Sequence, residues 1–282
     1  MAIVNTKEML KDAKLNHYAI GAFNIENMEF AQAIIWAASE VNSPIILQTS
    51  ENTLKYGSPE LFRAIVDTIA SEVTIPVAIH LDHGTTFKSV ERCIYADYRS
   101  VMFDGSMMCY KDNVETTARI VKKCRPRGIS VEAELGAISG KEGAPTESTD
   151  LYTDPQAAVE FVRETSVNSL AVSIGTVHGL YKSIPKLDYD RLTTLSEMID
   201  IPLVLHGASG LNDNQLRKCI ECGISKINIA TDLRIAWTDT LKKYMLENPT
   251  VFDPKKAAKE ARAAVGKIVK ERLAVLGSID RG

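Results

Sequence analysis

The chain has 282 residues, of which 45% are hydrophobic and 24% are charged, and its formal net charge is −3. These are ordinary values for a globular protein, and the scattered basic residues exclude a nucleic-acid backbone as the main partner. The five cysteines are an odd number without framework spacing, which indicates a reduced protein. No basic and apolar leader is recognisable, and no apolar run approaches the ~20 residues of a membrane span. We therefore expect a cytoplasmic protein that does not enter membranes.

Short apolar runs alternate with amphipathic segments along the whole chain. Runs rich in branched residues are typical of buried parallel strands, and the segments between them have helical periodicity. We predict strands at residues 19–24, 45–50, 75–83, 100–104, 129–134, 170–174, 201–206 and 226–229. The predicted helices span residues 26–41, 59–71, 88–96, 111–124, 155–164, 189–198, 212–222, 232–244 and 254–276.

This alternation predicts the α/β class and one domain over residues 1–282, a (βα)8 TIM barrel with an extra C-terminal helix. The composition does not change between the two halves, which agrees with a single domain. A doubly wound open sheet is the alternative. It normally has a glycine-rich phosphate turn after its first strand, and this chain has none there.

Three of the five histidines, His83, His178 and His206, lie at or just after the ends of predicted strands. The carboxyl ends of barrel strands meet at one mouth, so we expect these imidazoles to converge. A lone histidine at a strand end is more often structural, but three at equivalent positions favour a catalytic zinc site with one open position. His17 and His80 have no comparable setting and are interpreted as structural.

Several carboxylates are expected near the same mouth. Asp82 would point away from its histidine neighbour along a regular strand, but at a strand terminus it could exchange protons with a bound hydroxyl or cap a loop. Glu132 and Glu134 share one face of the fifth strand, either in the barrel interior or against the helices. Glu134 and Asp104, at the end of the fourth strand, could form a second metal position or an ion-pair network.

A long loop and two turns of small residues are also expected to border the mouth. Glu142 lies in the loop 135–145, where it is either a mobile acid/base or a solvated charge. Residues 207–210 and 228–231 begin helices after the seventh and eighth strands, which is the usual phosphate pocket of such barrels. Simple turn chemistry is the alternative, and Lys182 adds a positive charge to this rim.

Together these segments resemble the class II, zinc-dependent ketose-bisphosphate aldolases, and the chain looks most similar to the tagatose-1,6-bisphosphate aldolases among them. The resemblance covers residues 6–278. Its motifs are Ala22-Phe23-Asn24, His80-Leu81-Asp82-His83, Asp104-Gly105-Ser106, Val131-Glu132-Ala133-Glu134-Leu135-Gly136, Gly175-Thr176-Val177-His178-Gly179, His206-Gly207-Ala208-Ser209-Gly210 and Asn228-Ile229-Ala230-Thr231. It implies a barrel that assembles as a homodimer or homotetramer.

The resemblance also implies the roles of individual residues. The metal ligands would be His83, His178 and His206 for zinc, and Asp104 and Glu134 for a second metal position. Asp82 would move the proton of the C4 hydroxyl during aldol cleavage and condensation. Glu142 matches the mobile carboxylate that exchanges the carbon-bound proton of the dihydroxyacetone phosphate half.

The remaining implied residues bind the sugar phosphate. The phosphate of the dihydroxyacetone half would contact Gly179, Gly207, Ala208, Ser209, Asn228, Ile229, Ala230 and Thr231, with a sodium or potassium ion nearby. Lys182 is a further candidate on this rim. Asn24 and Ser50 match positions that face the other half of the substrate.

Two positions bear on the identity of the substrate. Fructose 1,6-bisphosphate aldolases often have Asp or Asn where this chain has Ala230, which cannot hydrogen-bond near the C4 hydroxyl, so we expect the C4 epimer, tagatose 1,6-bisphosphate. Relatives typically read Asp-Pro-Arg near the C-terminus, with an arginine of this segment reaching the distal phosphate in a neighbouring subunit. This chain reads Asp253-Pro254-Lys255-Lys256 there. Because lysine lacks the bidentate fork of arginine, a ketose 1-phosphate with another distal group is an alternative.

Two other classes of function stay open at this stage. A metal-dependent epimerase, isomerase or other lyase could use the same barrel, because fold does not determine function. A sugar-phosphate-binding subunit that needs a partner, or an aldolase with an accessory subunit, is the second alternative. Asp82 and Glu142 argue against a pure binding role, because binding requires no acid/base pair.

Overall fold

The computed structural model describes residues 3–136, 152–177, 179 and 185–282. Within these ranges eight parallel strands form a closed barrel in sequence order, and the last strand pairs with the first. The strands are β1 (Ile20–Asn24), β2 (Ile45–Ser50), β3 (Val77–Gly84), β4 (Ser100–Phe103), β5 (Ser130–Leu135), β6 (Ser169–Val172), β7 (Leu203–Leu205) and β8 (Ile224–Ile229). The predicted (βα)8 barrel is confirmed.

Helices surround the barrel and cover one of its ends. They are α1 (Thr6–Leu15), α2 (Met28–Glu40), α3 (Glu51–Tyr56), α4 (Pro59–Ala70), α5 (Phe87–Tyr95), α6 (Tyr110–Cys124), α7 (Pro155–Thr165), α8 (Tyr189–Met198), α9 (Asp213–Glu221), α10 (Thr231–Glu247) and α11 (Pro254–Leu276). The extra C-terminal helix is confirmed as α11, which packs on α2 and α10. None of the helices in the described ranges is long and apolar enough to cross a membrane.

Local sequence determines where most of these helices begin. Asn27, Ser58 and Asn212 each accept a hydrogen bond from a backbone N–H of the first helical turn, which satisfies a group that would otherwise lack a partner. Helices α1 and α3 were missed by the sequence analysis. Helix α1 closes the amino-terminal end of the barrel, where Met9 and Leu10 belong to a cluster with residues of β1, β2 and β3.

The barrel interior changes from apolar to charged along its axis. Near α1 the inward side chains are small or aliphatic, as at Ile20 and Ala78. Further along, Nζ of Lys226 lies 2.8 Å from Oε2 of Glu132, and both side chains are buried. His80 is also fully buried, with Nδ1 2.7 Å from Oγ of Ser100. Glu132 therefore lies in the barrel interior and not against the surrounding helices, which were the two positions expected for it.

Replacing Lys226 by methionine tests this interior ion pair. Lys226→Met leaves the Glu132 carboxylate buried without its cation, so we expect the free energy of unfolding to fall by about 3–5 kcal/mol. The surface lysine Lys267 pairs with Glu271 at 3.9 Å, and Lys267→Met should change stability by less than about 1 kcal/mol. Denaturant unfolding followed by circular dichroism measures both. Equal effects of the two substitutions would contradict the prediction.

Candidate active site

A cavity of about 610 Å³ opens at the carboxyl ends of the strands. Its volume is typical of small-molecule sites. Eleven of the predicted site residues line it: Asn24, Ser50, Asp82, His83, Gly179, Gly207, Ala208, Ser209, Asn228, Ala230 and Thr231. The structure therefore brings together residues of β1, β2, β3 and β8 and of the segments that follow β6, β7 and β8.

An irregular end of β3 directs two consecutive side chains into this cavity. The pairing of β3 with β4 shifts register between Leu81 and Gly84, and His83 has a positive φ of 50°. Such an irregularity re-aims side chains that would otherwise alternate between the two faces of the strand. As a result, Nε2 of His83 lies 3.8 Å from Oδ1 of Asp82.

The Asp82 carboxylate is held by two amides. The side-chain amide of Asn24 donates to Oδ2 and that of Asn228 donates to Oδ1, both at 3.0 Å. Burial raises the pKa of the Asp82 carboxyl, but the charges of His83 and His206 outweigh burial and bring this pKa to about 2. Asp82 is therefore an ionised and oriented group at the floor of the cavity.

Two imidazoles and three carboxylates form the candidate metal centre. The rings of His83 and His206 have centroids 4.6 Å apart. Asp104 lies 2.7 Å from Nδ1 of His83, and Glu134 lies 3.2 Å from Nδ1 of His206. The ligand atoms of Asp82, His83 and His206 lie within 4.8 Å of one another, as do those of His83, Asp104 and Glu134. Imidazole and carboxylate donors at this spacing fit a divalent transition metal.

The inner carboxylates orient His206. Oε1 of Glu132, whose other oxygen pairs with Lys226, accepts a hydrogen bond from Nε2 of His206 at 3.1 Å. Burial lowers the pKa of His206, but the contacts with Glu132 and Glu134 prevail and raise it to about 9. The Glu132 contact leaves Nδ1 facing the candidate metal centre, as carboxylates behind a ligating histidine commonly do.

The start of α10 forms another part of the cavity wall. Its N-cap residue, Ala230, has no side-chain acceptor, and the backbone N–H of Thr231 donates to Oγ of Ser209. Gly207 has φ +68°, and a Cβ there would lie 2.5 Å from the carbonyl oxygen of Val177. A helix start and a glycine-containing turn that meet at a cavity are suited to an anion.

The other predicted site residues divide into two groups. The side chain of Ile229 belongs to the hydrophobic core between barrel and helices, so only its backbone is available to a ligand. His178, Lys182 and Glu142 lie outside the described residues. The roles assigned to these three therefore stay predictions.

The structure also adds cavity residues that the sequence analysis missed. Glu26 and Arg234 line the cavity and form an ion pair with each other. Their positions in the sequence could have indicated a role in the site. Glu26 follows the predicted site residue Asn24 by two residues, and Arg234 lies one helical turn after the predicted site residue Thr231. No recognised motif included them, and their pairing joins segments that are 208 residues apart.

Comparison with known proteins shows the family to which this chain belongs. The sequence model of the family described as class II fructose-bisphosphate aldolase matches residues 4–281. The YdjI aldolase of Escherichia coli K12 is 32% identical and superposes with a TM-score of 0.88 over 99% of each chain. The fructose-bisphosphate aldolase of Campylobacter jejuni is 22% identical and has the same fold, with a TM-score of 0.86 over 100% of this chain and 97% of its own. This chain belongs to the class II fructose-bisphosphate aldolase family and is an aldolase, a lyase that cleaves carbon–carbon bonds.

Proposed function

We propose that this aldolase catalyses the reversible, zinc-dependent cleavage of a ketose 1,6-bisphosphate to dihydroxyacetone phosphate and glyceraldehyde 3-phosphate. The observation that carries the proposal is the Asp82 carboxylate, held by Asn24 and Asn228 beside the imidazoles of His83 and His206. An ionised acceptor next to a metal-binding group is the combination that aldol chemistry requires. Class II aldolases are in general metal-dependent.

His83 and His206 would hold the zinc, and His178 completes the set by sequence resemblance. When bound, zinc supplies a Lewis acid that polarises the ketone oxygen of the substrate. Asp104 and Glu134 are proposed for a second metal position, which their distances from His83 support.

Asp82 is proposed as the base that takes the proton of the C4 hydroxyl during cleavage and returns it during condensation. Its two anchoring amides fix the carboxylate without neutralising it, so that it is oriented before the substrate arrives. Glu142 is proposed, from the sequence alone, to exchange the carbon-bound proton of the dihydroxyacetone phosphate half.

The phosphate of that half is proposed to bind at the start of α10. Backbone N–H groups at a helix start carry a partial positive charge, and the turn 207–209 borders the same region of the cavity. A sodium or potassium ion is proposed to accompany this phosphate, on the basis of the resemblance. Gly179, which also lines the cavity, is proposed to contact the same phosphate.

Tagatose 1,6-bisphosphate is the proposed substrate, and fructose 1,6-bisphosphate is the alternative. Ala230 lines the cavity with a methyl group, which offers the C4 region no hydrogen bond. The expectation of the C4 epimer rests on this residue. A ketose 1-phosphate with a different distal group is a further alternative.

A triose-phosphate release assay with both bisphosphates, with and without a chelator, tests metal and substrate together. We expect cleavage that favours tagatose 1,6-bisphosphate, disappears with the chelator and returns when zinc is added. Metal analysis before and after chelation supplies a readout independent of activity. Cleavage that is insensitive to complete metal removal would contradict the zinc proposal. A preference for the fructose substrate would contradict only the assignment based on Ala230.

The variant Asp82→Asn separates a base from a metal ligand. Loss of a general base is expected to lower kcat roughly 10²- to 10⁴-fold, while bound zinc measured by metal analysis stays at the wild-type level. His206→Ala should lose zinc as well as activity. The exposed residue Asp239 on α10 gives the matched control, Asp239→Asn. Loss of zinc in Asp82→Asn would instead indicate that this carboxylate is a ligand.

We also propose that the chain forms a homo-oligomer. Apolar side chains of α10 and the segment after it are exposed, with Leu246 at 82% and Phe252 at 97% exposure. Apolar surface of this kind often marks an interface. Sedimentation at micromolar concentration is expected to give a dimer or tetramer, and a monomer would contradict the proposal.

A further inference from the structure

A further cavity lies at the amino-terminal end of the barrel, opposite the candidate active site. It has a volume of about 410 Å³ and lies between the start of α1, the end of α6 and the start of β5. The buried side chains of Val121, Ile129 and Val131 give it an apolar surface. A cavity of this volume with apolar and polar lining residues is suited to a small molecule, and none of these residues takes part in the proposed function.

Two cations on the wall of this cavity are available to a ligand. Lys7 lies in the first turn of α1, and Arg125 directly follows α6. Both residues are exposed, and neither side chain forms an ion pair or a hydrogen bond within the described residues. The neighbouring Lys123, by contrast, pairs with Glu91. The charges of Lys7 and Arg125 are therefore not compensated by direct contact with an acidic group.

The end of α6 and the residues after it concentrate positive charge beside the cavity. Residues 119–127 contain no acidic residue and five basic ones, which are Arg119, Lys122, Lys123, Arg125 and Arg127. Arg127 contacts the ring of Tyr95, which leaves its charge in place. This run departs from the scattered distribution of basic residues along the rest of the chain, whose net charge is −3. A local excess of positive charge next to a concave surface attracts anionic ligands.

Neutral polar groups complete the wall. Oδ1 of Asn168 accepts a hydrogen bond from the backbone N–H of Val131 at 2.8 Å, so the amide nitrogen of Asn168 is the donor that remains. Ser166 contributes a hydroxyl to the same lining. Oγ of Ser130 accepts a hydrogen bond from the backbone N–H of Lys7 at 3.1 Å, which fixes the start of α1 against β5. The backbone that carries the first cation is therefore held in place before a ligand binds.

We propose that this cavity is a second ligand site, which binds the phosphate group of a small molecule between Lys7 and Arg125. The planar fork of Arg125 can bind two oxygens of a phosphate, and Lys7 adds a second positive charge. Glu8 is the one acidic residue among the described residues that line the cavity, so the two cations leave a positive balance. The apolar surface then contacts the carbon part of the molecule. This site is separate from the phosphate pocket proposed at the start of α10, because the two lie at opposite ends of the barrel.

Modification of arginine by phenylglyoxal, followed residue by residue with mass spectrometry, tests the site directly. At constant ionic strength, we expect saturating inorganic phosphate to slow the modification of Arg125 roughly fivefold or more, because the bound anion masks the guanidinium. Arg217 on α9 is exposed and outside the cavity lining, so its modification rate should not change. Glycerol 3-phosphate, which adds a carbon part, should protect Arg125 at a lower concentration than inorganic phosphate. A readout at one residue distinguishes this site from phosphate binding in the active site.

A matched pair of variants on α1 separates the site from a general effect of charge. Lys7→Gln removes one of the two cations, so most of the protection of Arg125 should be lost. Lys11→Gln, one helical turn further along α1 and outside the cavity lining, should keep the protection, and circular dichroism verifies that both variants fold. Equal protection of Arg125 and Arg217, or full protection in Lys7→Gln, would overturn the inference. Protection by inorganic phosphate but not by glycerol 3-phosphate would contradict the assignment to a phosphate-bearing molecule.

Discussion

The buried ion pair between Lys226 and Glu132 is the interaction on which the candidate active site depends. A carboxylate inside a barrel is tolerated only when it is paired and hydrogen-bonded, and Lys226 meets this requirement from β8. The paired Glu132 then fixes the ring of His206 through Nε2. The charged layer thus lies directly beneath the candidate metal centre, and the apolar layer and α1 seal the opposite end of the barrel. Electrostatic pairing in the interior therefore determines where the imidazole points.

The Asp82 carboxylate at the cavity floor is supported by side chains from several strands. Asp82 is held by amides from β1 and β8, and the amide of Gln48 on β2 donates to the oxygen of Asn24. Three strands therefore act on one carboxylate. This arrangement maintains an ionised group in a buried position, where an isolated carboxylate would take up a proton. Side chains on strands are also positioned more reproducibly than side chains on loops.

The sequence predicted the barrel because eight apolar runs alternate with helices, a signal that tertiary context rarely reverses. It also predicted that His83, His178 and His206 would converge, since the ends of parallel strands share one edge. The structure brings the rings of His83 and His206 together, and His178 lies outside the described residues. It did not predict the shifted register at the end of β3, because periodicity assumes a regular strand. The partner of Glu132 was also missed, because Lys226 lies 94 residues away and a lone lysine in an apolar strand is not a motif.

Glu26 and Arg234 were missed for the same reason, because they lie 208 residues apart in the sequence. Their placement has a physical consequence. A cation in the first turn of a helix lies at the positive end of the helix dipole, which is unfavourable for stability. The Glu26 carboxylate compensates that charge from the segment after β1, and Thr53 on α3 holds the carboxylate in place, so three parts of the chain maintain a position that α10 alone would disfavour.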